Sequence, residues 1–206
     1  MPNSRPHVLT TYSGRQLDLD EVTVDAIFIE DIAAALSKIC RFGAQTRQFY
    51  SVAQHALLVR DILVGDLGRP DLALYGLHHD SHEAFAGDLP SPLKIKLNAE
   101  GNDAYKRLCD HLDDAISTAF GFAIPDDGSE DHAVFERADH TALLIEANAL
   151  LQDKGVGVRS QLEGKGVDLS SVTSAHELET PLTPDDAEIQ FLHAHAAAVA
   201  DSAGTR

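Results

Sequence analysis

The chain has 206 residues, of which 44% are hydrophobic, so it can bury one core of ordinary size and a single domain over 1–206 is expected. Its 33 acidic and 16 basic residues give a formal net charge of −17, which argues against nucleic-acid polymers and anionic membranes as partners. With only Cys40 and Cys109, no export signal and no membrane-length apolar run, the sequence favours a cytoplasmic protein without disulfides or a cysteine-based zinc site.

The chain reads as one short hairpin followed by helices. Residues around Ser13-Gly14 suit a β-turn between two short strands, and from Glu30 onward the apolar residues follow helical spacing. Ser51 is a suitable N-cap for the next helix, and Thr183 is one for the last. The predicted elements are a hairpin over 7–20, helices from Glu30 to near Gly43, from Ser51 onward, from Pro70 to Phe85, from Gly101 to Phe120 and from Asp131 to Gln152, a loop over 155–183 and a helix over 184–200. The fold class is therefore nearly all-α.

Polar residues interrupt the inward faces of three of these helices. Neighbouring helical positions are about 100° apart, so His79 and Asp80 can converge on one ion, and Glu83 follows one turn later. His55 and Asp139 lie on apolar stripes of two other helices, and a buried carboxylate is costly without a partner. Two histidines and two carboxylates suit Mn²⁺, Fe²⁺, Co²⁺, Zn²⁺ or Mg²⁺. Because such an ion makes water acidic enough to attack near neutral pH, the pattern indicates a hydrolase.

The other histidines give no second ligand set. His78 and His82 are expected at the surface or behind the ligands, and His193 and His195 on the surface of the last helix. His111, His132 and His140 have no obvious ligand spacing, so one metal ion is favoured over two.

A small phosphorylated substrate remains compatible with the negative net charge. A metal ion and a few local cations can reverse the electrostatic field inside a cleft. The candidate cations are Arg41, Arg47, Lys94 and Lys96.

Three segments carry a resemblance to a known family. Ser51-Val-Ala-Gln-His55, His79-Asp80 and Ala138-Asp139 resemble, in order and rough spacing, the His…His-Asp…Asp signature of the HD-domain phosphohydrolases. The run from His79 through Glu83, together with Gly87-Asp88-Leu-Pro-Ser-Pro-Leu-Lys94, is more specific. It resembles the branch that contains bacterial 5'-deoxynucleotidases and related phage nucleotide phosphohydrolases. The similarity covers about residues 28–152 and implies an HD-domain helical bundle.

The resemblance also implies roles for individual residues. It implies one divalent metal ion held by His55, His79, Asp80 and Asp139. It further implies that Glu83 and Asp88 are an acid/base pair, that Arg41-Phe42 contacts the nucleotide, and that Lys94 can hold a phosphate oxygen. Phe42 stands where the 5'-deoxynucleotidases have Trp.

The expected activity is hydrolysis of a nucleotide phosphate ester, with a 5'-(deoxy)nucleoside monophosphate favoured as the small-molecule partner. One alternative is a deoxynucleoside triphosphohydrolase that releases triphosphate. Another is a nucleotide-binding module without activity, which is disfavoured because no ligand or acid/base carboxylate is missing. The resemblance also allows a homodimer.

Overall fold

A computed structural model describes residues 7–171, 178 and 180–204, and the fold is mostly helical, as predicted. The strands are β1 (Val8–Thr10) and β2 (Gln16–Asp18), and the helices are α1 (Ile29–Leu36), α2 (Val52–Asp61), α3 (Ala73–His78), α4 (Glu83–Ala86), α5 (Ser91–Ala99), α6 (Ala104–Phe120), α7 (Glu130–Leu150), α8 (Val156–Gly164) and α9 (Pro184–Gly204). Short 3₁₀ turns occupy Val24–Ala26, Arg41–Ala44, Pro70–Leu72 and Leu169–Ser171, and a π-helical turn, Ile62–Asp66, continues α2. Among the described helices, none is long and apolar enough to cross a bilayer.

The predicted amino-terminal hairpin is confirmed. Leu9 of β1 pairs with Leu17 of β2 in an antiparallel register, and Gly14 turns the chain with a φ of +83°. Leu17 is fully buried. Asp31, a buried residue of α1, accepts hydrogen bonds from the Ser13 backbone N–H (2.6 Å) and hydroxyl (2.9 Å). The hairpin is thereby fixed to the first helix and covers one end of the core.

The main core lies between the hairpin and five helices. Apolar faces of α1, α2, α3, α6 and α9 meet there, together with Leu17 of β2. Its fully buried members of largest volume include Ile32, Leu36, Leu77, Leu112 and Phe191. The helical spacing seen in the sequence therefore identifies the faces that pack together.

A second apolar cluster holds α7 against α2. It contains Val59 of α2, Ile62 and Leu63 of the π-helical turn, and Phe135 and Ala138 of α7. Because Ala138 is fully buried at this contact, the next residue of α7 is brought to the side of α2 that carries His55.

The first helix is shorter than predicted: α1 ends at Leu36, not near Gly43. The Ser37 hydroxyl and the Lys38 ammonium group both donate to the Ala34 carbonyl, at 3.1 and 2.7 Å. Cys40 then pairs with Ser51 in an isolated antiparallel bridge, which requires extended backbone. Side-chain capping and this bridge end the helix before its apolar pattern ends.

Two helices occupy segments that the sequence predicts as turn or loop. Helix α5 begins directly after Pro90, in the Pro-rich segment, and has no buried residue. Helix α8 falls inside 155–183, so the prediction of a long loop is wrong for 156–164, and residues 172–177 and 179 of that segment lie outside the described residues. Helix α8 begins after Gly155, whose φ is +77°, and packs on α7. Its helical state depends on this tertiary contact, which a local pattern does not report.

Candidate metal centre and cavity

Helix α2 positions His55 in its first turn. The Ser51 hydroxyl accepts a hydrogen bond from the Gln54 backbone N–H, and the Gln54 side chain accepts one from the Ser51 backbone, so the predicted N-cap is a complete capping box. His55 is 1% exposed. Its Nδ1 lies 2.8 Å from Oε1 of Glu146, a fully buried residue of α7. The ring is thus held at one nitrogen, with Nε2 directed toward the other candidate ligands.

His79 and Asp80 lie in a turn rather than inside a continuous helix. The predicted helix from Pro70 to Phe85 is instead divided into α3 and α4, with turns at residues 79–82 between them. The Ser81 and Glu83 backbone N–H groups donate to the carbonyls three residues earlier. The His79 ring donates through Nδ1 to the Gly76 carbonyl at 2.8 Å. These hydrogen bonds replace the four-residue bonds of an α-helix, so the adjacent side chains of His79 and Asp80 can face the same candidate metal site.

Helix α7 supplies Asp139 and Glu146 from one side. The two residues are seven positions apart, which is about two helical turns. Asp139 faces the cavity described below, with its side chain 32% exposed, whereas Glu146 is buried behind His55. One helix therefore contributes both a candidate ligand and a group that orients another.

Four side chains converge within short distances. The Nε2 atoms of His55 and His79 are 3.2 Å apart. Asp80 Oδ2 lies 3.7 Å from His55 Nε2 and 3.3 Å from His79 Nε2, and Asp139 Oδ1 lies 3.1 and 3.9 Å from the same two nitrogens. Ligand atoms of His55, His79 and Asp80 all lie within 4.8 Å of one another, so this buried group could hold a metal ion.

Both imidazoles are held in the tautomer that a metal ligand needs. Nδ1 of His55 faces a carboxylate oxygen of Glu146 and Nδ1 of His79 faces the Gly76 carbonyl, and both partners can only accept. Nδ1 must therefore carry the hydrogen in each ring. In the neutral rings both Nε2 lone pairs then point into the cluster beside two carboxylates, an arrangement that a cation stabilises.

The electrostatics of the cluster also favour a positive charge at its centre. Burial and Arg41 act against protonation of His55, but Glu146 and Asp139 outweigh them and raise its pKa to about 10. Burial opposes ionisation of Asp139, yet contact with His55 and His79 lowers its pKa to about 2. The pKa of Asp80 is likewise held well below its usual value, against burial, by His79, His55 and Arg41.

Glu83 is a buried carboxyl group beside this cluster. It is 1% exposed, and its Oε1 accepts from Lys94 Nζ at 3.2 Å. Its Oε2 is buried and has no hydrogen-bond partner among the residues that the structure describes. Burial and the negative charges of Asp80 and Asp88 raise its pKa to about 8, while Lys94 acts in the opposite direction. Glu83 can therefore exchange a proton near neutral pH.

Asp88 lies on the same wall, in the loop that follows α4. Gly87 leaves the helix with a φ of +80°, and its carbonyl accepts a hydrogen bond from the Tyr105 hydroxyl at 2.7 Å. Burial raises the pKa of Asp88, partly offset by Arg41. The structure thus brings Glu83 and Asp88 to one cavity, held from behind by α6.

Arg41 is paired inside the site. It lies in a turn in which Phe42, Gly43 and Ala44 have φ values of +57°, +58° and +63°. Its guanidinium lies 3.1 Å from Glu146 Oε2 and 3.6 Å from Asp80 Oδ2, and 5.5 Å from the Phe42 ring centroid. Arg41 therefore links a candidate ligand to the carboxylate that orients His55, in addition to facing the cavity.

A cavity of about 490 Å³ opens in front of these groups. Every sequence-predicted site residue except the deeper His55 lines it, and α8 forms the opposite wall. Arg47 and Lys96 lie elsewhere, since Arg47 donates to the Ala149 carbonyl and Lys96 pairs with Glu100. The lining residues that the sequence did not indicate include Gln45, Leu143, Asp153, Val158, Gln161 and Lys165.

The prediction that His195 lies on the surface is wrong, and for His78 and His82 the structure excludes the surface alternative. His78 is 1% exposed and lies 2.9 Å, Nε2 to Nδ1, from His195, which is half-buried rather than at the surface. His82 is also buried, with its Nδ1 2.9 Å from Asp113. Asp80, His82 and Glu83 form a second group whose ligand atoms lie within 4.8 Å of one another.

Sequence reasoning missed Glu146. The sequence feature that could have identified Glu146 is its spacing of seven residues from Asp139, which places a second carboxylate two turns along the inner side of α7. Its partner His55 is 91 residues away, so only the packing of α2 against α7 reveals the pair.

No family model matches the chain. It is 39% identical over 113 residues to the uncharacterized protein YfdR of Escherichia coli strain K12, which covers 55% of this chain and 58% of YfdR. It is 37% identical over 117 residues to an uncharacterized protein of Rhodobacter capsulatus, covering 53% of this chain and 56% of the relative. The chain thus spans just over half the length of these two curated relatives.

Proposed function

We propose that this chain is a metal-dependent phosphohydrolase that cleaves the phosphate ester of a 5'-(deoxy)nucleoside monophosphate. The observation that carries the proposal is the convergence of two imidazole Nε2 atoms and two carboxylates beside Glu83, a buried carboxyl group whose pKa is raised to about 8. A structural role alone gives no reason to place at a cavity wall a buried carboxyl oxygen that has no partner among the described residues.

The donor set fits a divalent cation. His55, His79, Asp80 and Asp139 would hold it, because their nitrogen and oxygen donors suit several first-row metals and Mg²⁺. When bound there, the ion supplies Lewis-acid chemistry that acidifies water and polarises a phosphoryl oxygen. Glu146 and the Gly76 carbonyl orient the two imidazoles for this task.

The two carboxyl groups on the cavity wall serve the proton transfers of ester hydrolysis. As the P–O ester bond breaks and water adds to phosphorus, the water must lose a proton and the leaving sugar oxygen must gain one. Glu83 and Asp88 both face the cavity and both have raised pKa values, so one can accept the first proton while the other donates the second. Lys94 fixes Glu83 through Oε1, while Oε2 is buried and has no hydrogen-bond partner among the described residues.

The cavity suits a small anionic ligand despite the net charge of −17. Its volume of about 490 Å³ lies in the usual range for small-molecule sites, about 300–1,000 Å³. Lys94 and Lys165 bring positive charge to its walls, while Phe42, Leu143 and Val158 provide apolar surface for a base or sugar.

A turnover assay with the purified full chain tests the proposal. With Mn²⁺ or Co²⁺ and a panel of ribo- and deoxyribonucleoside 5'-mono- and triphosphates, we expect orthophosphate release from a monophosphate. Product analysis separates this activity from a triphosphohydrolase, which would release triphosphate.

Variants make the assay specific to the site. Glu83→Gln should retain the metal and lose turnover by about 10²–10⁴-fold, as expected for removal of an acid or base. Glu163→Gln, an exposed change on α8, is the matched control. Absence of product with every nucleotide, or full activity of Glu83→Gln, would refute the proposed mechanism.

A further inference from the structure

A second cavity lies on another flank of α7. Its volume is about 400 Å³, and it opens between α7 and the residues that follow α8. Its lining residues are Ala133, Glu136, Arg137, His140, Lys165, Gly166 and Val167. Arg137 is two positions before Asp139, which is about 200° around the helix, so the two side chains leave α7 in different directions.

The cationic groups of this cavity have no ion-pair partner in the part of the chain that the structure describes. Within residues 7–171, 178 and 180–204, neither Arg137 nor Lys165 forms an ion pair, although other cations of this acidic chain do, such as Arg69 with Asp131 and Lys106 with Asp110. In the same described ranges, the Nε atom of Arg137 is buried and has no hydrogen-bond partner.

A buried donor without a partner is unfavourable, and in the described residues Arg41 and Arg60 also have such an Nε atom. Arg137 differs because it lines the second cavity together with Lys165, and neither of these two cations is paired with a carboxylate in the described part of the chain. Burying an N–H group away from water without a hydrogen bond costs about 1–3 kcal/mol, and more for a charged group. Within the described chain no carboxylate occupies the acceptor position at Arg137 Nε. A guanidinium presents parallel N–H groups that match two oxygens of a phosphate.

We propose that Arg137, Lys165 and His140 form an anion site that binds a phosphate group. Arg137 would donate two hydrogen bonds, Lys165 would add a point charge and His140 a ring N–H. Glu136 lines the same cavity and opposes an anion; its carboxylate is exposed and lies 3.8 Å from His132 Nδ1. Removing Arg137, Lys165 or His140 should therefore weaken anion binding, and removing the Glu136 charge should strengthen it.

The site is separate from the candidate metal centre but adjoins its cavity. Lys165 lines both cavities, whereas Arg137, His140 and Glu136 line only the second. The inference rests on these contacts and not on hydrolysis, so a binding measurement without turnover tests it whether or not the proposed activity exists.

Isothermal titration calorimetry on the full chain in EDTA provides the test. Inorganic phosphate probes the free anion, and a nucleoside 5'-triphosphate probes a phosphate group carried by a nucleotide. We expect at least one of them to bind, and Arg137→Gln to weaken that binding about tenfold or more. Glu136→Gln should tighten it, and raising the ionic strength should weaken it.

The control is Arg159→Gln, which removes an exposed charge on α8 that lines neither cavity. Circular dichroism and thermal melting check that each variant is folded, and Arg137→Lys supplies a second test because it keeps the charge but loses the paired N–H groups. Binding of either probe that depends on Arg137 supports the site and identifies the source of the phosphate group. No binding by wild type, or equal binding by Arg137→Gln and Arg159→Gln, would overturn it.

Discussion

Glu83 is held in a state that works against the stability of the fold. Its carboxyl group is buried near Asp80 and Asp88, and these surroundings raise its pKa from the usual 4.5 to about 8. Stability depends on pH wherever the folded and unfolded states bind different numbers of protons. Between about pH 4.5 and pH 8 the folded state carries this proton, so the contribution of Glu83 to stability falls as the pH rises.

Replacing Glu83 by glutamine should therefore stabilise the metal-free protein, and by more at high pH. Glutamine cannot ionise and can still accept from Lys94, so the difference between variant and wild type should grow from about pH 5 to about pH 9. Each unit of pKa shift corresponds to about 1.4 kcal/mol, so a gain of up to a few kcal/mol is expected. Urea unfolding in EDTA at both pH values measures it.

The exposed variant Glu163→Gln serves as the control for this measurement, because it should change stability little at either pH. An equal stability change for Glu83→Gln at both pH values would contradict the raised pKa.

Two of the candidate ligands, His55 and Asp139, could be identified from the sequence because each interrupts an apolar helical face. His55 and Asp139 stand among apolar neighbours, and burial of such groups calls for a partner. Arg41 was expected at the nucleotide, and the structure also pairs it with Glu146 and Asp80. Those pairings join residues from separate elements and leave no pattern in the sequence.

At the level of elements, the approach of α3 to the end of α2 depends on one glycine. A Cβ atom at Gly76 would lie 2.3 Å from Cδ1 of Leu63, a fully buried residue of the π-helical turn. The Gly76 carbonyl also accepts from the His79 ring at 2.8 Å. One residue thus fixes both the distance between two elements and the orientation of a candidate ligand.

Gly76→Ala should lower both stability and metal affinity. The added methyl group must displace Leu63 or move α3, so we expect a loss of about 1–3 kcal/mol in unfolding free energy, and weaker Mn²⁺ binding through the shifted His79 carbonyl partner. Urea unfolding and calorimetric titration with Mn²⁺ measure the two effects.

Gly164→Ala is the matched control, since Gly164 is also helical but a Cβ there meets no atom within 4 Å. It should be neutral or stabilising by up to about 1 kcal/mol. If Gly76→Ala behaved in the same way, the close packing of α3 would not constrain the site.

The helix boundaries that could be predicted are those set by residues close to them in the sequence. Ser51 begins α2 and Thr183 caps α9, because capping groups act within three residues. The divided helix at residues 79–82 could not be predicted, since the His79 ring competes for a backbone carbonyl within an apparently helical pattern. Helix α5 was missed because Pro92 marks a turn as readily as a helix start.

At the scale of the whole molecule, the candidate metal centre joins distant parts of the chain. His55 comes from α2, His79 and Asp80 from the turn after α3, and Asp139 from α7. The unfolded chain does not hold these groups together, so an ion that binds them stabilises the folded state alone.

Addition of Mn²⁺ or Co²⁺ should therefore raise the melting temperature of the chelator-treated protein. At a free metal concentration of about 100 times Kd, the expected stabilisation is about 2.7 kcal/mol. Asp80→Asn should remove most of this shift, because it deletes a ligand that lies within reach of both imidazoles.

The exposed variant Asp114→Asn controls for the loss of one negative charge from an acidic surface. A thermal-shift titration compares the three proteins, and an equal metal-induced shift in wild type and Asp80→Asn would argue against the assigned ligands.

The participation of α9 in the main core has a consequence for synthesis on the ribosome. Phe191 of α9 and Leu17 of β2 are fully buried members of the same cluster, although they lie near opposite ends of the described sequence. The nascent chain cannot bury this core until α9 has left the exit tunnel. All the candidate ligands are translated well before that point. The main core is therefore completed only after α9 has been synthesised, and the apolar faces of the earlier helices stay exposed until then.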